Sequence, residues 1–370
     1  MIYSPQLVPL AKYFAKTIAN GTERGGLCVM CQGRVLLDVW GGVARPGQVW
    51  QSDTLACCFS VTKGVLSLLA HVMISRGEIA LDTTVSQVWP RFLVKQKGSI
   101  TLFDILTHRA GLPAVSEPVA EGDLYDWDIM VGHLERSVEV VRSRDTPVYH
   151  NMTYGHLLGE TLRRAAGADS LRGLLQARVI DPLGVDFRIG LTDVENARAA
   201  QLTQADPNGL LRTLVTEPEN LFSRSMAFFD RDEDFNSTKW RGAVIGSGSG
   251  HATARALATL YGQYIWKDAI LPSTKQLEIG IEQAQTQNDA ILGIPIRFGL
   301  GVELSAPPHF DFGPNSGAVG HWGAGGAQAF ADPKLGVSFG YVTGHMSSQI
   351  GSSARASHLV KLLYDCLSND

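Results

Sequence analysis

The amino-acid sequence predicts an α/β (α+β) fold, in which an antiparallel sheet built from both termini is flanked by helices and carries an inserted, mostly helical lobe. Two observations predict it. Apolar, strand-like runs around tight turns occur near both ends of the chain, at 26–42 and 328–342. Between them, apolar residues mostly recur with the period of a helix. Because a sheet must bury its apolar face, we expect the terminal strands to pair and the helices to pack against them.

The N-terminal elements are a helix, a hairpin and a second helix. The first helix is amphipathic, because apolar residues recur there at helical spacing. They are Leu7, Leu10, Ala11, Phe14 and Ile18. A β-hairpin follows, with two apolar runs joined by Gln32 and Gly33. The next helix begins at Ser60 and is predicted to be buried, since most of its residues are apolar. The apolar ones are Val61, Val65, Leu66, Leu68, Leu69, Val72 and Met73.

The middle of the chain is predicted to be helical. Thr101 is a suitable N-cap for a helix, and His108 near the end of that helix is interpreted as a hydrogen-bonding or dipole-complementing residue. The stretch 114–147 predicts a helical excursion, and 154–166 predicts a further helix. The pattern breaks down at 205–240, where prolines, charges and aromatic residues alternate. A loop of that length is either a lid or binding loop, or a tolerated surface insertion.

The last third of the chain returns to strands. We predict a strand at 298–304, a hairpin at 328–342 and a C-terminal helix with Leu359 and Leu363 on its apolar side. The chain is therefore expected to form two domains. The α/β sheet domain is discontinuous and comprises 1–80 and 241–370. The mostly helical domain comprises 81–240 and includes the cleft loop at 205–240.

Charge and hydropathy exclude several classes of partner. The net charge is −4 and there is no basic run, so nucleic acid is not expected as a partner. The first residues, Met1 to Pro5, lack the basic region and apolar core of a secretory signal. No apolar run approaches the length of a membrane span. We therefore expect a cytoplasmic protein with no membrane partner, while its oligomeric state stays open.

The five cysteines do not indicate a cofactor. Cys28 and Cys31 form a C-x-x-C pattern, but in a strand two residues three apart point to opposite faces. No second cysteine pair or histidine pair accompanies them at zinc spacing. Core packing is therefore preferred to a metal or redox role, and neither a metal nor an organic cofactor is expected.

Ser60 and Lys63 form a Ser-x-x-Lys pair at the start of the buried helix. Residues three apart lie on one face of a helix, so a hydroxyl nucleophile would stand beside an amine that can take its proton. The helix N-terminus would also favour an anion forming there. The alternative is structural: Ser60 would be an N-cap and Lys63 a solvated lysine of the first turn.

Two further segments accompany this pair. Tyr149-His150-Asn151 precedes the helix at 154–166, and the Gly-rich run 320–326 precedes the late hairpin. With these segments in the same order and spacing, the chain resembles the serine β-lactamase and penicillin-binding-protein superfamily. The resemblance covers nearly the whole chain. Within that superfamily it is similar to family VIII carboxylesterases and class C β-lactamases, which implies a β-lactamase-like fold.

The resemblance implies a role for each matching residue. Ser60 would be the acyl-accepting nucleophile, and Lys63 would hold the proton network. Tyr149 would act as general base, with a phenolate made accessible near neutral pH by the neighbouring lysine. Asn151 would position the acyl part of the substrate, and the N–H groups of Ser60 and Ala324 would form the oxyanion hole. The structural alternatives are a half-buried turn tyrosine for Tyr149 and an N-cap for Asn151.

The third motif departs from the pattern of class C enzymes. They have Lys-Thr-Gly there, whereas this chain has His321, Trp322 and Gly323, which we expect to line the substrate site. Gly323 would permit close backbone approach. An ammonium that would grip the carboxylate of a β-lactam is missing, and neutral imidazole is a poorer partner for an anion.

The sequence therefore predicts a serine carboxylesterase that forms an acyl-enzyme. Its substrates would be small-molecule esters, short-chain or moderately bulky, with weak β-lactam hydrolysis as a side activity. Two alternatives stay open. The same residues would serve an amidase, a peptidase or an acyltransferase. A non-catalytic acyl-binding sensor would retain the fold and form a stable adduct without turnover.

Overall fold

A computed structural model describes residues 1–141, 144–203, 220–229, 234–271, 278, 280–282 and 284–368. The strands are β1 (Ile2–Tyr3), β2 (Gly25–Cys31), β3 (Arg34–Gly41), β4 (Val43–Arg45), β5 (Gln48–Val49), β6 (Ala56–Cys57), β7 (Phe187–Ile189), β8 (Gly250–Ala252), β9 (Gln287–Asn288), β10 (Pro295–Ile296), β11 (Glu303–Leu304), β12 (Val319–Trp322), β13 (Gln328–Asp332) and β14 (Val337–Thr343).

The main sheet joins the two ends of the chain. Its seven strands lie in the order β1-β3-β2-β14-β13-β12-β11, and every neighbouring pair is antiparallel. The join is the pairing of β14 with β2, which places Phe339 opposite Val29. The predicted fold class, a mixed α/β structure with an antiparallel sheet built from both termini and flanked by helices, is thus confirmed.

Helices cover the sheet and fill the middle of the chain. The longer α-helices span Val8–Ala19, Val61–Ser75, Trp127–Arg136, Thr153–Ala165, Ala254–Gly262 and Ala354–Leu367. Shorter α-helices span Val85–Val88, Leu102–Leu106, Leu171–Leu175, Asp181–Leu183, Asp193–Ala197, Leu221–Ser225 and Thr238–Gly242. Tighter or wider helical turns span Pro5–Leu7, Pro90–Ser99, Asp123–Tyr125 and Gln176–Ile180. In the part of the chain that the structure describes, no helix has the length and apolar character needed to cross a membrane.

The two faces of the sheet pack against different helices, because side chains alternate along a strand. On β2, Leu27 and Val29 lie in one apolar cluster with Phe14 of the first helix and Leu363 of the last. Cys28 and Met30 lie in the other cluster, which contains most of the apolar residues of the helix Val61–Ser75. This second face is therefore the one that supports the candidate site.

A small second sheet fixes the start of the Val61–Ser75 helix. Its strands lie in the order β6-β8-β7. Directly after β6, the N–H of Cys58 donates to the carbonyl of Gly250 at 2.8 Å. The N–H of Gly250 in turn donates to Oγ1 of Thr62 at 3.0 Å. The turn that carries Ser60 is thus held from both sides by β8.

The sequence-based element boundaries are mostly confirmed, with two corrections. The predicted strand at 298–304 is a tight turn instead: only Glu303–Leu304 is a strand, because Gly301 has a φ of 78° and reverses the chain. In the described part of the stretch 114–147 the chain is mostly irregular and contains one α-helix, Trp127–Arg136. The loop predicted at 205–240 falls partly outside the described residues, and its described part contains two short helices.

Candidate active site

Ser60 lies immediately before the Val61–Ser75 helix, and its hydroxyl makes no capping bond to that helix. It accepts a hydrogen bond from Nζ of Lys63 at 3.0 Å instead. The preceding residue, Phe59, has a φ of 45°, a conformation that costs a non-glycine residue about 1–3 kcal/mol. This strained turn places the hydroxyl at the head of the helix, where backbone N–H groups favour a developing negative charge.

Lys63 is buried, at 1% exposure, so it is not a solvated surface lysine. Besides Ser60, its Nζ atom reaches the carbonyl of Ser247 at 2.9 Å. Burial lowers the pKa of Lys63 to about 7, against an opposing effect of the Glu303 charge. A substantial fraction of Lys63 is therefore a neutral amine near neutral pH and is able to accept the Ser60 proton.

The Gly-rich turn around Ser247 holds the side chain of Lys63 in position, because Nζ of Lys63 bonds to the carbonyl of Ser247. The hydroxyl of Ser247 donates to the carbonyl of Met152 and accepts from the N–H of Gly155, both at 2.7 Å. A side chain at Gly155 would lie 2.2 Å from the backbone nitrogen of Ser247, so only glycine permits this approach. The turn consequently holds the Thr153–Ala165 helix and Lys63 together through one residue.

Tyr149 belongs to the same cluster as Ser60 and Lys63. Its ring centre lies 4.9 Å from Nζ of Lys63, and its side chain is 1% exposed. The N–H of Tyr149 donates to the carboxylate of Asp289 at 2.7 Å. Its ring packs against the ring of His108, with centres 5.1 Å apart. The structure therefore brings the hydroxyl, the amine and the phenol together, although they are far apart in sequence.

The expected phenolate character of Tyr149 is wrong. Burial raises the pKa of Tyr149 well above its ordinary value, and the charge of Glu303 raises it further, while the nearby Ser60 hydroxyl acts in the opposite direction. Among the described residues, the hydroxyl of Tyr149 makes no hydrogen bond of normal geometry, although the Ser60 hydroxyl is close enough to lower its pKa. Tyr149 is therefore a neutral phenol at neutral pH. Of the two groups that could accept the Ser60 proton, Lys63 has the lowered pKa and Tyr149 the raised one.

The segment that carries Gly323 lies directly against the turn before Ser60. A side chain at Gly323 would lie 2.3 Å from the carbonyl oxygen of Cys58, and one at Gly325 would lie 2.5 Å from the ring of Phe59. The N–H groups of Ser60 and Ala324 form no hydrogen bond within the described parts of the chain. Their availability as an oxyanion hole stays a prediction that this packing supports.

His321 and Trp322 are buried at the end of β12, with exposures of 2% and 5%. Nδ1 of His321 donates to the carbonyl of Trp322 at 2.7 Å. Nε2 of His321 lies 3.5 Å from Oε1 of Glu303. Burial lowers the pKa of His321 to about 3, so the imidazole is neutral and supplies no positive charge to the site.

Asn151 is half-buried, and its amide nitrogen donates to the sulfur of Met226. Met226 follows the Leu221–Ser225 helix, so the described part of the predicted loop contacts Asn151. Phe235 and Trp240 of that loop pack around Phe59, with ring centres 5.1 and 6.2 Å away. These aromatic rings pack against the strained turn before Ser60. A tolerated surface insertion would not be expected to make such contacts.

Several neighbours of the site were not identified from the sequence. They are Ser247, Asp289, Met226 and Glu303. For Glu303 a signal existed, because it is the only charged residue in the otherwise apolar stretch 298–304. His108 was identified as a hydrogen-bonding residue, and its Nδ1 does accept the N–H of His150 at 3.0 Å. Within the described residues, no group of three or more His, Cys, Asp or Glu side chains is arranged to hold a metal ion.

A comparison with known families matches residues 10–360 to the family described as Beta-lactamase. The chain is also 29% identical over 363 residues to Esterase/beta-lactamase LipL of Mycobacterium tuberculosis (strain ATCC 25618 / H37Rv). That alignment covers 94% of this chain and 83% of LipL.

Two solved structures are similar over almost their whole length. A penicillin-binding protein homologue from Caulobacter crescentus superposes with a TM-score of 0.86 at 30% identity, covering 99% of both chains. A family VIII carboxylesterase superposes with a TM-score of 0.88 at 27% identity, again covering 99% of both chains. The folds of both proteins therefore superpose on this chain over almost its whole length.

Proposed function

Since the chain belongs to the beta-lactamase family, we propose that this β-lactamase-fold serine hydrolase is a carboxylesterase acting through an acyl-enzyme. Its proposed substrates are uncharged esters with short or moderately bulky acyl groups. The observation that carries the proposal is the buried hydrogen bond of 3.0 Å between Lys63 and Ser60. It joins a nucleophile to an amine whose pKa of about 7 suits a general base.

In the proposed acylation, Lys63 takes the proton of Ser60 while Oγ of Ser60 bonds to the ester carbonyl carbon. The carbonyl oxygen becomes an oxyanion, which the N–H groups of Ser60 and Ala324 would stabilise. The intermediate then collapses, the bond to the alkoxide leaving group breaks, and the alkoxide receives a proton from Tyr149. Tyr149 regains a proton from Lys63, which is neutral again.

Deacylation repeats these transfers with water as the nucleophile. Lys63 receives a proton from water through Tyr149 as the water oxygen bonds to the acyl carbon. The second tetrahedral intermediate collapses, the bond to Oγ of Ser60 breaks, and Lys63 returns its proton to Ser60. In this scheme Tyr149 stays a neutral relay, in agreement with its raised pKa.

The charges around the site favour an uncharged ester over a β-lactam. Among the described residues, Lys63 is the cation that acts on the pKa of Glu303 and on that of His321. A substrate carboxylate would therefore meet a neutral imidazole and a buried acidic side chain instead of an ammonium. An ester expels its leaving group more easily than an amide does. An uncharged ester also has no carboxylate that an ammonium would need to bind. The names of the relatives, an esterase/β-lactamase and a family VIII carboxylesterase, agree with this preference.

The proposal is tested with short p-nitrophenyl esters. We expect Ser60→Ala to abolish turnover, because among the described residues Ser60 carries the only hydroxyl that is hydrogen-bonded to Nζ of Lys63. The matched control is Ser75→Ala at the other end of the same helix, where the hydroxyl only bonds to the carbonyl of Val72. A phosphonate ester should add once to the wild type, on the peptide that contains Ser60. Equal turnover by Ser60→Ala and wild type would refute the proposal.

A further inference from the structure

His108 combines a strained backbone with a buried side chain beside the candidate site. It lies two residues after the helix Leu102–Leu106 and is 3% exposed. Its φ of 59° is left-handed, which is uncommon for a residue other than glycine. Strained residues of this kind cluster at functional sites, where the surrounding structure holds them in place. The proposed reaction gives His108 no step, so its conformation calls for another explanation.

The carbonyl and the ring of His108 both accept hydrogen bonds from the segment that carries Tyr149. The N–H of Val148 donates to the carbonyl of His108 at 2.9 Å, and the N–H of His150 donates to its Nδ1 at 3.0 Å. Between these two, the N–H of Tyr149 donates to the carboxylate of Asp289 at 2.7 Å. Three consecutive backbone N–H groups are therefore held, and two of the three acceptors belong to His108.

The ring of His108 also packs against the ring of Tyr149. The two ring centres are 5.1 Å apart. The ring of Phe298 lies 4.4 Å from that of His108 and is nearly parallel to the ring of Tyr149, with their centres 6.0 Å apart. Nζ of Lys63 lies 4.9 Å from the centre of the Tyr149 ring. The position of the phenol relative to Lys63 thus depends on contacts that His108 makes with both its backbone and its ring.

The hydrogen bonds of the two imidazoles define their tautomers. Nδ1 of His108 accepts an N–H, so this nitrogen carries no proton. Burial lowers the pKa of His108 well below its ordinary value, which keeps the ring neutral near neutral pH. His150 is arranged in the opposite way, because its Nε2 accepts the N–H of Leu112 at 3.0 Å and its Nδ1 donates to the carbonyl of Val148 at 2.7 Å. Nδ1 of His108 is therefore committed to a structural bond and is not available as a base.

We propose that His108 is a positioning residue that holds the phenol of Tyr149 where it relays protons between Lys63 and the leaving group. This inference rests on the proposed function and deepens it. His108 itself gains and loses no proton, so the balance of acylation and deacylation is unchanged. A relay works only within hydrogen-bond reach of its donor and acceptor, and a displacement of about 1 Å is expected to cost about 100-fold in rate.

The test compares two substitutions that both remove the ring and both tolerate a positive φ. His108→Asn keeps an acceptor, because Oδ1 of asparagine stands as many bonds from the backbone as Nδ1 of histidine, and asparagine adopts positive φ more readily than most residues. His108→Gly tolerates the same φ and has no acceptor. With a p-nitrophenyl ester, we expect kcat to fall about 100-fold in His108→Gly and to stay within about tenfold of wild type in His108→Asn. Equal losses of kcat in the two variants would overturn the inference.

A double variant shows whether His108 acts through Tyr149. In the background of Tyr149→Phe there is no phenol left to position, so adding His108→Gly should lower kcat by less than about threefold. KM should change little in His108→Gly, since His108 is not expected to bind substrate. If the two losses of kcat multiply instead, His108 acts independently of Tyr149 and the inference is wrong.

His133→Ala is the control for the loss of a buried imidazole. His133 is 6% exposed and its Nε2 bonds to the carboxylate of Asp123 at 2.8 Å, on the helix Trp127–Arg136. This variant should have a lower melting temperature and the kcat of wild type. A fall in kcat as large as that of His108→Gly would show that activity follows stability alone, and would count against a positioning role.

These outcomes are distinguishable from a failure of the proposed function. If a phosphonate ester does not add to Ser60 of the wild type, the proposed function fails. If it adds and His108→Gly turns over esters like wild type, only the role of His108 fails. Should neither His108 variant fold, 15N-labelled wild type replaces them. A coupling across the hydrogen bond between Nδ1 of His108 and the amide nitrogen of His150 is then expected, and its absence would overturn the inference.

Discussion

The side-chain nitrogen of Lys63 lies 3.0 Å from the hydroxyl oxygen of Ser60, and both residues are buried at 1% and 9% exposure. An amine in this position is coupled to the proposed nucleophile by one direct hydrogen bond, with no intervening residue. Burial lowers the pKa of Lys63 to about 7, which places its titration at the centre of the physiological range. The chemistry of the site should therefore follow the protonation of this single group.

The pH dependence of esterase activity is the most direct consequence. Because the neutral amine is the base, kcat/KM should rise with pH and reach half of its plateau at about pH 7, the value to which burial lowers the pKa of Lys63. The measurement is a profile from pH 5 to 9 with an uncharged p-nitrophenyl ester, and the p-nitrophenol released is quantified after every sample is brought to one common pH. A profile that is flat across that range would show that Lys63 is not the titrating base.

Stability should depend on the same group in a predictable direction. The pKa of Lys63 falls from an ordinary 10.5 to about 7 on folding, so the unfolded chain binds more protons between these values. The contribution of Lys63 to the free energy of unfolding consequently increases as the pH rises from 7 to 10.5. In Lys63→Met we expect this increase to disappear and activity to fall at least about 100-fold. Denaturant unfolding at pH 7 and at pH 10 measures the change in the free energy of unfolding, with Lys361→Met as the exposed control.

Tyr149→Phe should lower the esterase activity without lowering the stability of the fold. The phenol makes no hydrogen bond within the described residues, so its removal should leave the melting temperature almost unchanged. The loss of a proton relay should reduce kcat by about 10²–10⁴-fold. Tyr154→Phe is the matched control, because its hydroxyl bonds to Ser67 at 2.7 Å. We expect that variant to lose about 1 kcal/mol of stability and little activity. A fully active Tyr149→Phe would rule out the relay.

Gly323→Ala should displace the proposed oxyanion hole. A methyl group at Gly323 would lie 2.3 Å from the carbonyl oxygen of Cys58, and backbone must move to relieve that contact. We expect a fall in kcat of about 100-fold, the usual cost of losing one oxyanion donor. At Gly317 the added methyl group would lie 3.8 Å from its nearest neighbour, so Gly317→Ala should be active and serves as control. Similar activities in the two variants would contradict the assigned role of this segment.

His321→Lys should fail to create a β-lactamase. A new ammonium there would lie beside Glu303, whose Oε1 is 3.5 Å from Nε2 of the present imidazole. It would pair with that carboxylate in the interior and would not be free to bind a substrate carboxylate. We expect hydrolysis of a chromogenic cephalosporin by His321→Lys to remain within about tenfold of wild type, with His321→Gln as control. A larger gain would mean that the new cation reaches the substrate.

Much of the fold was accessible from local patterns. The hairpin around Gln32 and Gly33 follows from two apolar runs and turn chemistry, and the long buried helix follows from the apolar residues after Ser60. The turn at 298–304 was missed because an apolar run is also typical of a strand. Only the backbone of Gly301, with its positive φ, shows that the chain reverses there.

The sequence by itself determined which residue types meet at the site. A hydroxyl, an amine, a phenol and a glycine stand at characteristic separations, and the resemblance built on them indicated their family. The tertiary structure alone decided the charge of each group. Whether Lys63 is neutral and Tyr149 protonated depends on burial and on neighbours from distant segments, because desolvation and Coulomb interactions act through space and leave no trace in local sequence.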